Sequence, residues 1–147
     1  MLPGTQFHPV LPDAHPPTDK IERVVLVSGK IYYELAKERA ARSLEDRIAL
    51  IRIEELAPFP FAHIADVLRP YAISTSKPEW LWVQEEPKNQ GAWGHVKERL
   101  GTVLSGLGER GEVEFVGRRE DAVPATGIGK AYQVQQRAVI QGAFRGL

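Results

Sequence analysis

Two pairs of adjacent glutamates are placed where acid–base chemistry could occur. Glu54-Glu55 and Glu85-Glu86 each follow a run of apolar residues typical of a buried strand. Ligands of open α/β sheets gather at the carboxyl ends of strands, so a carboxylate pair there could act as general acid and base. Adjacent residues of an extended chain point to opposite sides, however, so the two carboxylates cannot readily face one substrate. Solvated or interface-paired carboxylates are therefore the favoured interpretation of both pairs.

Histidine, serine and basic side chains give no stronger indication of a catalytic site. Ser28 lies in Val-Ser-Gly-Lys rather than in a G-x-S-x-G elbow, so its expected role is to cap the next helix. Lys30 and the pair Arg118-Arg119 follow predicted strands, where they could bind an anion or make interface contacts. No histidine has a partner at i, i+4 spacing with which to share a metal; the four are His8, His15, His63 and His95. The sequence thus predicts no catalytic, cofactor-binding or metal-binding residue.

Three tryptophans form the strongest remaining pattern. Trp80 and Trp82 lie on the same side of a predicted strand, and Trp93 begins the helix that follows. Such a cluster packs a core or a subunit interface, or it stacks against a ligand. Packing in a core or an interface is the favoured interpretation.

Short apolar runs alternate with longer amphipathic stretches, and this alternation predicts the fold. The runs predict strands at 23–27, 48–53, 80–84 and 113–116. The amphipathic stretches predict helices at 30–42, 60–70, 92–107 and 131–143, with Pro60 at the start of the second helix and Pro70 at its end. Strands that alternate with helices indicate an α/β fold, a mostly parallel open sheet with helices on both faces.

Composition limits the classes of partner. The 147 residues suit one globular domain, and 19 basic side chains balance 19 acidic ones. Without net charge, the chain has no field that would attract nucleic acid or an anionic membrane surface. The absence of cysteine excludes disulfides and thiolate chemistry and fits a reducing compartment.

The amino-terminal segment is rich in proline. Five of the 11 prolines fall in the first 17 residues, which predicts an extended, irregular and mobile linker over residues 1–19. The globular domain would then span residues 20–147.

Several motifs, in this order and spacing, carry a resemblance to a known family. They are Val27-Ser-Gly-Lys-Ile-Tyr-Tyr33, Arg52-Ile-Glu-Glu-Leu-Ala-Pro-Phe-Pro60, Trp82-Val-Gln-Glu-Glu-Pro87, Asn89-Gln-Gly-Ala-Trp93, Val116-Gly-Arg118 and Pro124-Ala-Thr-Gly127. The chain resembles, over about residues 7–144, the carboxy-terminal domain of the 2-oxoglutarate dehydrogenase E1 component. The run 123–129 is similar to the branch that prefers 2-oxoadipate, and the choice between the two substrates stays open.

The resemblance implies a transketolase-like carboxy-terminal domain of a thiamine-diphosphate enzyme. In such an E1, the cofactor attacks a 2-oxo acid, carbon dioxide leaves, and the acyl group passes to the lipoyl group of an E2 transferase. Thiamine diphosphate and Mg²⁺ are held by preceding domains through a Gly-Asp-Gly motif, and this chain contains no Gly-Asp pair. The implied partners are the preceding E1 domains, a second E1 subunit and E2. The implied location is the mitochondrial matrix in a eukaryote or the cytoplasm in a bacterium.

Two departures from the family pattern limit what the resemblance implies. The family usually has a histidine five residues after the glycine of Pro-Ala-Thr-Gly, and this chain has Tyr132. Some actinobacterial relatives bind acetyl-CoA through a glutamine and arginines, whereas the corresponding positions here hold Glu55 and the run 61–63, Phe-Ala-His. An acetyl-CoA site is therefore not expected, since these groups would not hold its phosphates.

The stretch from Trp80 to Trp93 is expected to lie at the surface that faces the rest of E1. The residues predicted to make this interface are Gln84, Glu85, Glu86, Asn89 and Trp93. Two hypotheses remain open at this point: the chain is the third domain of an E1 enzyme, or it is a free-standing interaction module derived from that domain.

Overall fold

A computed structural model describes residues 6–124 and 127–147. It contains a five-stranded sheet in the order β1-β3-β2-β4-β5, in which β1 is antiparallel to β3 and the other pairs are parallel. The elements are β1 Val10–Leu11, β2 Arg23–Val27, α1 Ile31–Ala41, β3 Ile48–Ile53, α2 Phe61–Ala72, β4 Glu79–Pro87, α3 Trp93–Gly106, β5 Glu114–Arg118 and α4 Gly129–Ala143. The mostly parallel α/β fold predicted from the sequence is confirmed.

Helices cover both faces of the sheet because the strands are apolar on both sides. On β2, Val24 and Leu26 join the core cluster that includes the buried stripes of α2 and α3. Val25 and Val27 point to the other face and join the cluster that includes the stripes of α1 and α4. Each fully buried aliphatic side chain of this kind contributes about 1.5–3 kcal/mol. The two clusters together explain why no charge interrupts β2 after Arg23.

The amino-terminal segment is not the irregular linker that its prolines predict. Val10–Leu11 pair with β3 as an antiparallel edge strand, and the carbonyl of Pro9 accepts hydrogen bonds from the backbone N–H groups of Glu54 and Glu55. Proline is tolerated in this place because an edge strand needs hydrogen bonds on one side only. The expectation of an irregular segment is wrong for this part of the chain. The domain boundary at residue 20 stays a prediction.

Some helix and strand ends, and one helix cap, also differ from the prediction. Helix α2 continues through Pro70 to Ala72, because the burial of Tyr71 and Ala72 outweighs the hydrogen bond that Pro70 cannot donate. Strand β4 continues to Pro87, so Glu85 and Glu86 lie on a strand rather than in a turn. Helix α1 has Lys30 at its N-cap and no side-chain capping bond, so Ser28 does not cap it.

Candidate functional site

The strand order locates one crevice where an open α/β sheet binds ligands. From β2 the chain passes to β3 on one side, and later crosses to β4 on the other side of β2. Such a reversal of direction leaves a crevice outside the carboxyl ends of the two central strands. Here those ends are the turn Ser28-Gly29-Lys30 after β2 and the last residues of β4. Gly29 makes the turn possible, because its φ of +77° is a conformation that other residues rarely adopt.

Glu85 is the centre of a hydrogen-bond cluster on the α1 and α4 side of this crevice. Its Oε1 accepts bonds from Lys30 Nζ at 2.6 Å, Gln136 Nε2 at 3.0 Å and Tyr132 Oη at 3.4 Å. Gln136 Nε2 also lies 3.1 Å from Glu34 Oε1. The bond to Glu85 raises the pKa of the Lys30 ammonium above its ordinary value, despite partial desolvation that opposes it. A carboxylate held by three donors is fixed in place and is a poor candidate for a general base.

Tyr132 joins the end of β4 to the end of β5. Its hydroxyl donates to Glu85, and the Arg118 guanidinium carbon lies 5.0 Å from the centre of its ring. That distance is within the range of a cation–π interaction. Tyr132, which stands where the family usually has a histidine, therefore makes contacts from both its hydroxyl and its ring. The motif Pro124-Ala-Thr-Gly127 that precedes it lies partly outside the described residues, since Ala125 and Thr126 are not among them.

On the opposite side of β4, Gln84 ties the strand to the start of α3. Its Oε1 accepts hydrogen bonds from Trp82 Nε1 and from the backbone N–H of Trp93, each at 2.9 Å. Its Nε2 donates to the carbonyls of Pro87 and Gln90 at 3.0 and 2.8 Å. The amide is thereby satisfied, as a group only 4% exposed must be.

Gly91 completes this arrangement and explains the spacing of the motif. Its φ is +63°, and a Cβ there would lie 2.9 Å from both Gln84 Nε2 and Glu86 Cβ. Only glycine therefore fits between the two side chains. The motif from Trp82 to Trp93 is a structural brace, in which one buried amide holds the turn between β4 and α3.

The five predicted interface residues do not share one surface. Gln84 is buried, and Trp93 is 7% exposed with its ring 5.3 Å from that of Phe115, so both belong to the domain's own core. The interface role predicted for these two side chains does not agree with their burial, because alternation along the longer β4 turns Gln84 inward and the Trp93 ring packs on Phe115. The sequence locates the motif between β4 and α3 but does not decide which of its polar groups is satisfied internally.

Glu85, Glu86 and Asn89 remain accessible. Glu85 and Glu86 point to opposite sides of β4, as their adjacency predicts: the Glu85 side chain is 20% exposed within its cluster, and Glu86 faces Gly91. Asn89 is exposed and bonds the backbone of Asp121 twice, from Nδ2 to the carbonyl at 2.9 Å and to Oδ1 from the N–H at 3.1 Å. The end of β4 thus offers one carboxylate, Glu86, that no cation occupies among the described ion pairs.

A groove of about 500 Å³ opens beside Glu86, lined also by the turn after β2 and the start of α3. Its two titratable side chains are Glu86 and His95, and His95 Nε2 lies 2.7 Å from the carbonyl oxygen of Leu56. A ring nitrogen held by a carbonyl must carry its proton, so it cannot ligate a metal. The other ring nitrogen of His95, Nδ1, is then the acceptor of the neutral ring.

Among residues 6–124 and 127–147, no group of three or more histidine, aspartate or glutamate side chains could hold a metal ion such as Mg²⁺. Lys30, the cation closest to the crevice, is already paired with Glu85. Over the same residues, no helix has the length and apolar character needed to cross a membrane.

Fold and site together define an α/β domain with a ligand-type crevice at the carboxyl ends of its two central strands. The sequence matches, over residues 1–144, the family described as 2-oxoglutarate dehydrogenase C-terminal, and the chain belongs to that family. The family predicted from the sequence motifs is therefore confirmed.

The relatives are proteins several times longer. The chain is 42% identical to the 2-oxoglutarate dehydrogenase E1 component of Azotobacter vinelandii over 139 residues, which are 94% of this chain and 14% of that protein. It is 40% identical to the E1 component of Rickettsia felis, covering 96% of this chain and 14% of that protein. It is 38% identical to the 2-oxoglutarate dehydrogenase-like, mitochondrial protein of Xenopus laevis, and the match covers 98% of this chain and 14% of that protein. The chain thus spans about one seventh of the length of these relatives.

Proposed function

We propose that the chain serves as the carboxy-terminal domain of an E1 oxidoreductase that acts on 2-oxoglutarate or 2-oxoadipate. The observation that carries this proposal is the match of nearly the whole chain to about 14% of several 2-oxoglutarate dehydrogenase E1 components. The proposed enzyme decarboxylates the 2-oxo acid oxidatively and transfers the acyl group to a lipoyl-E2. Its location would be the mitochondrial matrix in a eukaryote, in line with the name of the Xenopus relative, or the cytoplasm in a bacterium.

The chain's own role in this enzyme is support rather than chemistry. Thiamine diphosphate, held with Mg²⁺ by residues outside this chain, supplies the carbanion chemistry. The brace formed by Gln84 and Gly91 fixes the end of β4, and that end presents Glu86 and Asn89 at the carboxyl edge of the sheet. We assign the contact with the preceding E1 domains, in one subunit or across a homodimer, to this edge.

A free-standing interaction module is the second candidate function. The observation in its favour is that both faces of the sheet are covered by the chain's own helices, so the domain closes its core without a partner. Such a module would bind an E1 or E2 partner and leave the partner's turnover unchanged.

A chimera separates the two candidates. The carboxy-terminal 14% of the Azotobacter E1 component, which aligns with this chain, is replaced by the chain, and a second variant lacks that region altogether. We expect the chimera to recover 2-oxoglutarate-dependent NADH formation when it is mixed with the E2 transferase and the dehydrogenase that reoxidises its lipoyl group. The truncated protein should have little activity. A chimera that folds and dimerises but turns over no faster than the truncated protein would refute the supporting role.

A further inference from the structure

The two edges of the sheet differ in how they are protected. β1 is two residues long and lies between Pro9 and Pro12, a combination that prevents further strand pairing. β5 forms the other edge, is five residues long, and pairs on one side with β4. No proline occurs between Lys88 and Val123. An edge strand of this length is a template for another strand unless something blocks it.

A groove of about 480 Å³ runs along β5, and its second wall is one stripe of α4. The stripe contains Ala138, Val139 and Gly142 at helical spacing, and Gly142 lies so close to the strand that a Cβ there would be 3.0 Å from Val116 Cγ1. Small residues on the helix leave room beside the strand. Val123, which also lines the groove, is an exposed apolar side chain.

The charges of β5 are self-complementary when two copies of the strand run antiparallel to each other. Its sequence is Glu-Phe-Val-Gly-Arg, with Glu114 at one end and Arg118 at the other. These two residues and Val116 share one face of the strand, since side chains alternate. Glu114 bonds Arg145 just beyond α4, and Arg118 lies over Tyr132 of α4, so both charges sit at the helix side of the edge. Both Glu114 and Arg145 are about half exposed and remain open to a further partner.

We propose that β5 pairs with β5 of a second copy of this chain, antiparallel and across a two-fold axis at Val116. In this register, Glu114 lies opposite Arg118 of the second copy, and symmetry forms the same pair twice. Phe115 and Gly117 also lie opposite each other in this register, on the other face of the strand, where each Phe115 ring already covers Gly117 of its own chain. A parallel arrangement in the same register places like charges together and is disfavoured. The inference concerns the chain alone and does not depend on the proposed function.

Charge reversal tests the pairing by analytical ultracentrifugation of the 147-residue chain. We expect a reversible dimer that Glu114→Arg and Arg118→Glu each weaken at least about tenfold, because each places like charges opposite one another twice. The double variant Glu114→Arg/Arg118→Glu restores the opposite charges and is expected to dimerise within about threefold of the unchanged chain. The control reverses Glu22 and Arg47, an exposed ion pair remote from β5. Thermal unfolding confirms that each variant is folded.

Cysteine pairs test the register, because the chain has no cysteine of its own. Glu114→Cys and Arg118→Cys chains, mixed and oxidised, should form a mixed disulfide, since directly opposed Cα atoms lie about 4.5–5.5 Å apart. Glu114→Cys alone should form no disulfide, since position 114 of the second copy lies about four residues, or about 13 Å, further along the paired strands. Three results would each overturn the proposal. The first is a chain that stays monomeric at millimolar concentration, and the second is a dimer whose affinity no charge reversal changes. The third is a disulfide between two Glu114→Cys chains.

Discussion

Two carboxylates of this domain, Asp13 and Glu85, each accept hydrogen bonds from a cation and from further donors, yet their surroundings differ sharply. Asp13 bonds Arg39 at 2.5 Å and the backbone N–H of Leu50, and both charged side chains are at most 4% exposed. Glu85 bonds Lys30, whose side chain is 68% exposed. Removing one partner of a buried pair leaves an uncompensated charge, whereas an exposed pair is replaced by water. The amino-terminal segment is therefore bound to the core through the buried pair of Asp13 and Arg39. Changes in the cluster around Glu85 should lower the unfolding free energy only slightly.

The largest effect is expected for Asp13→Ala. The change leaves the Arg39 guanidinium buried without its counter-ion and Leu50 N–H without this acceptor, and should cost about 3–5 kcal/mol of unfolding free energy. Urea denaturation of both proteins measures it. The matched control is Glu38→Ala, which removes an i, i+4 partner of Arg42 and should cost about 0.5 kcal/mol. A loss below about 1 kcal/mol for Asp13→Ala would mean that the segment is not fastened through this residue.

Proteolysis gives a second view of the same segment. A mobile linker would be trimmed at once, whereas pairing of Val10–Leu11 with β3 predicts that cleavage between residues 9 and 14 is slow in the unchanged chain. Asp13→Ala should accelerate that cleavage while the core remains intact. Mass spectrometry of timed digests measures both rates.

Tyr71 should show the next largest effect, through pH. Burial first, and then the negative charge of Asp13, raises the pKa of Tyr71 to about 12. A pKa raised in the folded state contributes stability that is fully present below the unfolded value near 10 and is lost as pH rises through about 12. The two-unit shift corresponds to roughly 2–3 kcal/mol.

The measurement compares unfolding free energies between pH 9 and pH 12 for the unchanged chain and for Tyr71→Phe. Between pH 9 and pH 12, the unfolding free energy of the unchanged chain should fall by roughly 2–3 kcal/mol more than that of Tyr71→Phe, because phenylalanine has no proton to lose. Tyr33→Phe is the control, since Tyr33 is an exposed aromatic side chain. Equal pH profiles for the chain and Tyr71→Phe would show that the hydroxyl ionises as freely in the folded state as in the unfolded one.

Glu85→Gln should have a smaller effect, of at most about 1 kcal/mol, because the ion pair that it breaks is largely exposed on the lysine side. The loss of the carboxylate should lower the pKa of Lys30 toward its ordinary value. NMR titration of the Lys30 side chain measures that change, and Glu109→Gln, which removes the partner of Lys77, is the control. An unchanged Lys30 titration would mean that the bond to Glu85 is not formed in solution.

The sequence predicts most of this fold because its strands and helices are encoded locally. Apolar runs such as 23–27 and 48–53 match β2 and β3 residue for residue. The β1 strand could not be predicted, because its pairing joins Val10 to Ile53, far along the chain, and its prolines argue against a strand. The end of α2 depends likewise on tertiary burial of Tyr71 beyond a proline.

The candidate site could likewise be predicted only in part. The motif from Trp82 to Trp93 could be located from the sequence, and the opposite directions of Glu85 and Glu86 follow from strand geometry. The burial of Gln84 could not be predicted, since it depends on how one amide meets five backbone and side-chain partners at once. Gly91 itself is the local signal that could have indicated the brace, since glycine readily supplies the positive φ of a tight turn.

The smallest effect on stability, and the sharpest test of the crevice edge, is expected for Glu86→Ala. Glu86 is exposed, so the isolated chain should keep its unfolding free energy within about 0.5 kcal/mol. In the Azotobacter chimera the same change should lower turnover or weaken assembly, because the proposed contact with the preceding domains uses this carboxylate. Glu112→Ala is the control, as an exposed glutamate outside the carboxyl edge. Both changes leave the fold intact. A loss of activity only in the Glu86→Ala chimera would therefore assign the contact with the preceding domains to the end of β4. Equal activity of the two variant chimeras would show that the contact does not use this end of the strand.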